Sequence, residues 1–530
     1  MKRPADPFEA ARRPTAPHAP DARARRTLGR DAAAGPAAEW GVMLAAGGLF
    51  AVLSALAAWF SRGFLEADAV THYLLARFAF EDPGYFVGVW ARPLVKLIYA
   101  VPAAFGGLFA TRLVSLGLAL LLAWLTWCIA RRLEQPRPAY AFVFLLAQPL
   151  VFLHSFSNLT ELPFAVLIAG AFWCYLRRWW FLMALLVSLS PLVRPEGFGF
   201  LLLAAAALVC ARRWWWLGVL PAGLVAWSVA GHWVTGADSW HNWLVRAWPY
   251  SGESVYEPGG LLHFVVRMPV VTGPLLFPAV VAGVVLYLRA GWGGEGKAGR
   301  GKWWWAGRWS GDDGQRDLNW LLVAALPLMV LVGHSLLYAA GKMASNGELR
   351  YMLVVAPFWA LLGSAGYGWL AGRLRLGWPM MTAGAAAVVP AVALNLVYPL
   401  VPLPQYEDSK QAQRLIHWYE LNYAGTHPRL MGANPALYLY RDVRFNGPDG
   451  LFWTPAAIES APPGTFAVWD PVFGRFNADA SLTADVEAFE RAGWREVAVT
   501  ARIASEGHEM LFRVFVSRPA APDEDGAQRE

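Results

Sequence analysis

The sequence has few cysteines and lacks the common nucleotide-binding motifs. Its three cysteines, Cys128, Cys174 and Cys210, all lie in apolar runs, and none belongs to a CxxC pair. This pattern gives no basis for a disulfide framework or a zinc site. A Gly-rich nucleotide-binding loop is missing, and we find no internal repeat of fixed period. The sequence therefore argues against a disulfide-rich protein, a zinc protein, a nucleotide-binding protein with a Gly-rich loop and a repeat protein.

Charge is also scarce, because 16% of the 530 residues are charged whereas 57% are hydrophobic. Several apolar runs are about 18–25 residues long, which is enough to cross a bilayer as a helix. The net charge of +7 does not indicate nucleic-acid binding, since the basic residues flank these runs. We therefore predict a polytopic α-helical membrane protein with no nucleic-acid partner.

The apolar runs predict eleven membrane spans, whose boundaries are approximate to several residues. They lie at about 39–60, 108–130, 138–154, 159–176, 179–193, 195–211, 214–232, 263–288, 318–340, 351–371 and 379–400. The run at 39–60 is too long for the apolar part of a cleaved signal peptide. It is therefore expected to stay in the membrane as an anchor.

Basic residues fix the predicted orientation. Residues 1–38 are rich in Ala, Pro and Arg and read as a disordered cytoplasmic tail. Arginines and lysines recur in every second short loop, so these loops also lie inside by the positive-inside rule. Eleven spans then place the C-terminus outside the cytoplasm. The protein is expected in the plasma (inner) membrane.

The composition changes near residue 404, where long apolar runs stop and strand and helix signals alternate. Strands are predicted at 429–433, 465–469, 496–500 and 510–516, with helices from Asn434 and over 484–493. The domains are then a transmembrane domain at 39–403 and a small extracytoplasmic α/β domain at 404–520. Residues 521–530 form a second disordered tail.

The outer loops collect the acids and histidines. Glu66, Asp68 and His72 follow the first span, where ionisable groups are costly without a reason. A helix that starts at Asp68 would bring Asp68 and His72 onto one face and would lie in the membrane interface. The alternative is that Asp68 only caps this helix, but capping explains neither Glu66 nor His72.

Two later helix starts carry charge. Glu161 follows Asn158 by three residues, which is close to a capping box, so a structural role competes with a functional one. Glu196 complements the start of the next helix, but Arg194 is unfavourable there. An anionic ligand such as phosphate would explain Arg194.

Two further outer segments could bind substrate. The loop at 232–262 is rich in aromatic residues and includes His241, which reads either as sugar binding or as an interfacial aromatic belt. A metal at His232, Asp238 and His241 has no enforcing ligand spacing. Lys342 and Arg350 could hold a phosphate or could snorkel at the rim.

These segments resemble the GT-C superfamily of membrane glycosyltransferases, which includes protein O-mannosyltransferases, aminoarabinose transferases and mannosyltransferases of lipid-linked glycan assembly. The resemblance covers most of residues 39–400. It rests on the acidic first outer loop, on Thr-Glu-Leu-Pro-Phe at 160–164, on Arg-Pro-Glu-Gly at 194–197, on Glu-x-Arg-Tyr at 348–351, and on the soluble outer domain.

The resemblance implies an enzyme that moves a mannose-like hexose or related sugar from a polyprenyl-phosphate donor to a hydroxyl of a glycan, lipid or protein, usually with inversion. It implies Asp68 as the catalytic base. The acids are often adjacent in the family, whereas Ala67 separates Glu66 from Asp68 here, so both stay candidates. The expected donor-phosphate ligands are Arg194, Arg350 and Lys342. The expected substrate-binding residues are His72, Glu161, Glu196, His241, Glu348 and Tyr351.

Two other functions fit a membrane protein of this kind. A transporter or flippase for a lipid-linked glycan would place charge near the bilayer midplane and often shows repeated halves, which this sequence does not. A non-catalytic membrane scaffold would use the outer domain to bind a partner. No metal ligand set is assigned from the sequence, and a divalent metal is neither required nor excluded.

Overall fold

The structure is a computed structural model that describes residues 36–90, 92–135, 137–236, 257–292, 312–343, 345–374, 384, 401–475, 485–505 and 508–517. The last predicted span, 379–400, and His241 lie outside the described residues, apart from Gly384. A helical domain precedes a small α/β domain along the chain.

The helices of the first domain follow the predicted apolar runs. In chain order they are α1 Pro36–Phe60, α2 Ala67–Arg77, α3 Gly84–Val87, α4 Pro93–Arg132, α5 Pro138–Leu146, α6 Pro149–His154, α7 Glu161–Leu176, α8 Trp180–Leu189, α9 Gly197–Cys210, α10 Ala222–Thr235, α11 His263–Thr272, α12 Phe277–Trp292, α13 Asp312–Ala339 and α14 Ala356–Arg373. Three 3₁₀ segments, Ser190–Leu192, Trp214–Val219 and Leu349–Val355, join onto α8, α10 and α14.

Five helical stretches among the described residues are long and apolar enough to cross a membrane alone: Ala37–Phe60, Pro93–Arg132, Trp214–Thr235, Leu318–Ala339 and Leu349–Arg373. Helices α11 and α12 pass the same test only as a pair and bend by 112° at their junction. Gly273 stands at that break with φ of +92°, a conformation that glycine adopts without steric cost.

The last part of the predicted outer segment 61–107 is helical. Helix α4 already begins at Pro93, a residue that suits the first turn. Gly107 interrupts the helix with φ of +65° and so marks the point where the predicted span begins. The predicted interfacial helix after the first span is present as α2.

The C-terminal domain contains α15 Glu407–Asn422, α16 Pro435–Arg441, α17 Pro455–Glu459, α18 Pro471–Arg475 and α19 Val486–Arg491. Its strands are β1 Arg429–Gly432, β2 Gly450–Phe452, β3 Thr465–Trp469, β4 Arg495–Val499, β5 Ile503–Ser505, β6 His508–Met510 and β7 Arg513–Val516. Five of them form a mixed sheet in the order β2-β1-β3-β7-β4, in which β1 runs parallel to β2 and β3. Strands β5 and β6 form a separate hairpin.

The C-terminal domain packs on the helix that carries the acidic loop. Arg77 of α2 forms a two-point ion pair with Asp442, at 2.7 and 2.9 Å. The chain between α1 and α2 pairs with the segment that leads into the C-terminal domain, since Gly63 N–H donates to Leu403 O at 3.1 Å. A Cβ on Gly63 would lie 1.8 Å from Pro404 O, so only glycine permits this approach.

Candidate active site

Arg350 joins the two acids of the first loop. Its Nη1 lies 2.7 Å from Glu66 Oε2 and its Nη2 lies 2.8 Å from Asp68 Oδ2. Glu66 is the N-cap residue of α2, but its side chain forms no capping hydrogen bond. The carboxylates of Glu66 and Asp68 are therefore held by a cation that lies 282 residues beyond Asp68 in the chain, and not by the helix start.

Glu161 lies beneath these outer acids. It is the first residue of α7, its side chain is 1% exposed, and it contacts Arg194 Nη1 at 2.5 Å and Arg350 Nε at 3.6 Å. The predicted capping box is not formed, because Thr160 is the N-cap residue and makes no side-chain cap. Asn158 instead donates its amide to Ala69 O at 3.3 Å. Glu161 therefore links both arginines.

Arg194 sits at a helix start without an anionic ligand because neighbouring carboxylates neutralise it. Its Nη2 lies 2.8 Å from Glu196 Oε1, and its Nη1 donates to Thr160 Oγ1 at 2.8 Å. Its guanidinium also stands over the ring of Tyr351, 5.5 Å from the centroid. The phosphate that the sequence suggested is thus not needed to explain the position of Arg194.

Tyr351 and His334 complete the inner side of the cluster. The His334 ring stacks on Tyr351 at 4.9 Å between centroids, and its Nε2 lies 3.4 Å from Glu196 Oε1. The Tyr351 hydroxyl donates to Asn346 Oδ1 at 2.7 Å, and Asn346 in turn donates to Glu348. Glu348 also pairs with Arg350 Nε. The cluster is therefore one continuous network of hydrogen bonds and ion pairs.

The network holds more negative than positive groups. Two arginines, Arg194 and Arg350, face five carboxyl groups, those of Glu66, Asp68, Glu161, Glu196 and Glu348. Burial raises the pKa of Glu66 above its usual range, against the opposing effect of Arg350 and with a further increase from Glu348, Glu161 and Asp68. One excess negative charge is relieved when Glu66 holds a proton.

The cluster has a deep side and an open side. The side chains of Glu161 and Arg194 are 1% and 11% exposed, whereas those of Glu66 and Asp68 are 31% and 38% exposed. Substrate can therefore reach the two acids of the first loop. The deeper ion pairs are buried among their partners, so their role is to hold Arg350 and Tyr351 in position.

The remaining predicted residues lie around this cluster or outside the described part of the chain. His72 is buried on α2, its Nδ1 is 3.2 Å from Asn158 O, and burial lowers its pKa. Lys342 is exposed and forms no ion pair with the residues that the structure describes. His241 falls in the segment 237–256, outside the described residues.

Three residues near the site were missed or misread from the sequence. Lys96 is 1% exposed and donates to Gly88 O and Trp90 O at 2.5 and 2.9 Å. Arg112 is 3% exposed and donates to three backbone carbonyls of the α1–α2 connection. An arginine inside a predicted span is itself a signal of function. His334 lay inside another predicted span and offered the same signal.

Among the described residues, no three His, Cys, Asp or Glu side chains form a group that could hold a metal ion. Asp238 and His241 of the predicted metal alternative lie outside the described residues, so that alternative stays a prediction. The cluster as described combines open carboxylates, which can accept or donate protons, with buried guanidinium groups that can stabilise an anion.

The chain has the fold of two solved structures of ArnT from Cupriavidus metallidurans. The structure bound to undecaprenyl phosphate aligns with a TM-score of 0.54 and 13% identity, over 90% of this chain and 99% of that chain. The apo structure aligns with a TM-score of 0.52 and 13% identity, over 88% of this chain and 97% of that chain. No family model and no curated protein matches the sequence.

At 13% identity this likeness shows the fold and nothing finer. The predicted fold class is confirmed: the protein is a polytopic helical membrane protein with a small C-terminal α/β domain. The resemblance drawn from the short motifs agrees with this fold over nearly the whole chain.

Proposed function

We propose that the protein is a membrane glycosyltransferase that moves a sugar from a polyprenyl-phosphate donor to an acceptor hydroxyl. One observation carries the proposal: acids from the first loop and arginines from distant segments meet in one open-sided cluster at the ends of apolar helices. The ArnT structure with the same fold holds undecaprenyl phosphate, a lipid phosphate of the class that such a donor contains.

The reaction needs one base and one stabilised leaving group. The acceptor oxygen attacks the anomeric carbon, its proton passes to a carboxylate, and the bond from the anomeric carbon to the phosphate oxygen breaks. The polyprenyl phosphate leaves with the electron pair, and a single displacement inverts the anomeric centre. The raised pKa of Glu66 favours its protonated form, which cannot accept another proton, and this favours Asp68 as the base.

Arg350 is the proposed partner of the donor phosphate. Its two Nη groups point at Glu66 and Asp68, the most exposed acids of the cluster, so this side of the guanidinium is the one a ligand can reach. A phosphate that bound there would compete with Asp68 for Arg350 and would leave Asp68 free to act as base. Lys342 is exposed on the same segment and could add a second cation.

A mannose-like hexose remains the expectation that the resemblance implies. We further propose that the N-terminus is cytoplasmic and that the C-terminal domain and the acid cluster are extracytoplasmic, since the basic loops occupy the opposite side. A polyprenyl-linked donor presented on that outer face would reach the cluster.

Asp68→Asn is the direct test of this function. Membranes that contain the full-length protein receive undecaprenyl phosphate loaded with radiolabelled mannose, and the label that reaches products free of the prenyl chain is measured. We expect transfer to fall at least about 100-fold, the lower range for general base catalysis. Binding of undecaprenyl phosphate to the purified variant should persist.

The matched control is Asp442→Asn, which removes a carboxylate that also contacts α2 but lies away from the cluster. It should transfer sugar at close to the wild-type rate. Transfer that survives Asp68→Asn would refute the assignment of the base. Lipid flipping in liposomes, without any sugar transfer, would favour the transporter instead.

A further inference from the structure

The tetrapeptide Arg-Arg-Trp-Trp occurs twice in the chain, at 177–180 and at 212–215. The first copy follows α7 and leads into α8, and the second follows α9 and leads into the 3₁₀ segment Trp214–Val219. Both helices begin at the acid cluster, since Glu161 is the first residue of α7 and Glu196 is the N-cap residue of α9. The 16 residues of α7 span about 24 Å. The two copies therefore lie at the end of these helices that is remote from the cluster.

The two copies meet in the structure. The ring of Phe181, directly after the first copy, lies 5.2 Å from the ring of Trp216, directly after the second, measured between centroids. Arg132 at the end of α4 adds a further arginine at the edge, since its Nε donates to Leu176 O at 3.2 Å, next to Arg177. We call this surface the arginine–tryptophan face and define it as the four arginines of the two copies with Trp179, Trp214 and Trp215.

The face is basic, aromatic and exposed. All four arginines are exposed, and Trp179, Trp214 and Trp215 are 43%, 56% and 91% exposed. The second copy opens the stretch Trp214–Thr235, which is long and apolar enough to cross a membrane. Tryptophan rings at the ends of such helices sit at the level of the lipid headgroups. The arginines of the face are therefore placed at headgroup level as well.

Two of the arginines hold a backbone conformation that favours glycine. Arg178 and Arg212 have φ of +59° and +54°, and each follows the C-cap residue of its helix, a position that glycine commonly occupies. A side chain strains this left-handed conformation, so glycine would end the two helices with less strain. Membrane topology needs only basic charge in the loop, which an unstrained position could carry. Neither role explains an arginine at both strained positions.

The chemistry of the face selects the partner. Arginine pairs with phosphate through two nitrogens at once and is preferred over lysine where that geometry matters. Basic residues beside the membrane ends of helices attract anionic lipids. A soluble phosphate or an acidic protein could use the charge of the face. Neither would use three exposed tryptophans at the rim of apolar helices, whereas a phospholipid contacts both.

We propose that the arginine–tryptophan face binds an anionic phospholipid of the bilayer, with the headgroup phosphate on the arginines. The acyl chains lie along the start of α8, where Phe181 and Leu182 are exposed. This surface is separate from the acid cluster by the length of α7, so it does not depend on the proposed glycosyl transfer. A bound lipid would hold together the far ends of the two helices that present Glu161 and Glu196.

Two double variants test the proposal. Arg178→Gly with Arg212→Gly removes two guanidinium groups and also relieves the backbone strain at both positions. Arg177→Gln with Arg213→Gln removes the other two cations without changing a left-handed residue. The matched control is Glu134→Gly, because Glu134 follows the C-cap residue of α4 with φ of +56°. It makes the same backbone change but removes an acid.

Binding is measured on the full-length protein in detergent, titrated with dioleoyl phosphatidylglycerol while native mass spectrometry counts the bound lipids. Dioleoyl phosphatidylcholine, with the same chains and no net charge, is the comparison. We expect the wild type to prefer phosphatidylglycerol, and each double variant to bind it at least about tenfold more weakly. Binding of phosphatidylcholine should change little. Glu134→Gly should bind phosphatidylglycerol at least as tightly as the wild type.

Thermal unfolding without added lipid separates lipid binding from a structural role. The double glycine variant should melt at or above the temperature of the wild type, so its lost affinity would not come from unfolding. If it gains stability but keeps its affinity for phosphatidylglycerol, the arginines serve topology alone and the proposal fails. Should this variant be unstable, the glutamine variant decides by the same affinity criterion.

Three further results would overturn the lipid site. One is equal affinity of the wild type for phosphatidylglycerol and phosphatidylcholine. Another is inorganic phosphate that displaces phosphatidylglycerol at an equal concentration, which would indicate a site for a soluble anion. The third is tighter binding of a hexaglutamate peptide than of phosphatidylglycerol, which would indicate an acidic protein as the partner.

Discussion

Arg350 is the residue on which the cluster depends most. Its planar fork contacts Glu66 and Asp68 through different nitrogens and Glu348 through Nε. A lysine carries the same charge at a single point and cannot reproduce this geometry. The arginine therefore positions the two open acids as well as neutralising them.

We expect Arg350→Lys to lower sugar transfer at least tenfold, because one ammonium cannot hold Glu66 and Asp68 together. The matched control is Arg77→Lys, which alters another two-point arginine–carboxylate pair on α2 that is far more exposed. Initial rates of transfer and binding of undecaprenyl phosphate are measured for both variants. Equal losses for the two variants would mean that Arg350 has no special role.

The buried carboxyl group of Asp470 predicts how the stability of the protein depends on pH. Burial raises its pKa from 3.8 to about 7, against the hydrogen bonds from Phe473 and Val472 that lower it. Between these two values the unfolded chain releases the proton while the folded chain keeps it. The contribution of this group to stability is therefore greatest below pH 3.8 and is lost as the pH rises towards 7.

Asp470→Asn removes this titration, so the variant should gain more in melting temperature over the wild type at pH 8 than at pH 5. Thermal unfolding of the full-length protein at both pH values measures the difference. Asp442→Asn, an exposed acid of the same domain, is the control and should show no such trend. A gain that is equal at both pH values would contradict the raised pKa.

Composition and loop position were sufficient to single out Glu66, Asp68, Arg194 and Arg350, because ionisable groups at a membrane rim need a reason to be there. Which of these acids contacts which arginine could not be derived from the sequence. Arg350 is 282 residues from Asp68 in the chain, and only the packed helices bring them together. The carboxylate partners of Arg194 were missed for a different reason. A helix start favours anions, so a bound phosphate was the simpler partner to infer for the Arg194 guanidinium.

At the scale of single elements, the connection from α1 to α2 decides where the acids stand. Arg112 of α4 donates to Ala58 O, Ser61 O and Gly63 O at 2.9, 2.7 and 2.5 Å. It thereby satisfies one carbonyl in the last turn of α1, where carbonyls lack intrahelical partners, and two carbonyls in the connection that follows. Arg112 is a positioning residue for the loop that leads to Glu66.

Arg112→Leu should destabilise the protein by at least about 2 kcal/mol, since it leaves several buried carbonyls without a donor. Thr126→Val is the control on the same helix, because it removes one local hydrogen bond to Leu122 O and keeps the shape. Thermal unfolding in detergent compares the two. A loss no greater than that of Thr126→Val would show that the connection holds its shape without Arg112.

Helices were predicted better in position than in length. Apolar periodicity located α7 and α9 closely, because Pro or acidic residues mark their starts. It merged α5 with α6 and α11 with α12, since hydropathy does not register the break in each pair. Apolar periodicity also placed the start of α4 too late, because Pro93 and Lys96 at its beginning are residue types that are common in loops. Strand β3 was predicted residue for residue, as its apolar run ends sharply at Gly464 and Asp470.

For the whole molecule, the contacts between domains determine which surfaces share a compartment. The C-terminal domain contacts α2 through Asp442 and approaches Glu81 O and the Tyr85 hydroxyl through Arg444 and Asn446. The acid cluster and the C-terminal sheet must therefore lie on the same side of the membrane. This holds whichever side that is.

The orientation itself can be measured with reporter fusions. We expect alkaline phosphatase fused after residue 520 to be active and green fluorescent protein at that position to be dark, because the basic loops mark the opposite face as cytoplasmic. Fusions within 131–137 should behave in the opposite way. A fluorescent C-terminal fusion would place Asp68 in the cytosol as well, since the two regions are in contact, and the donor would then have to be presented on the inner leaflet. The fusion therefore tests the topology and the leaflet of the donor in one measurement.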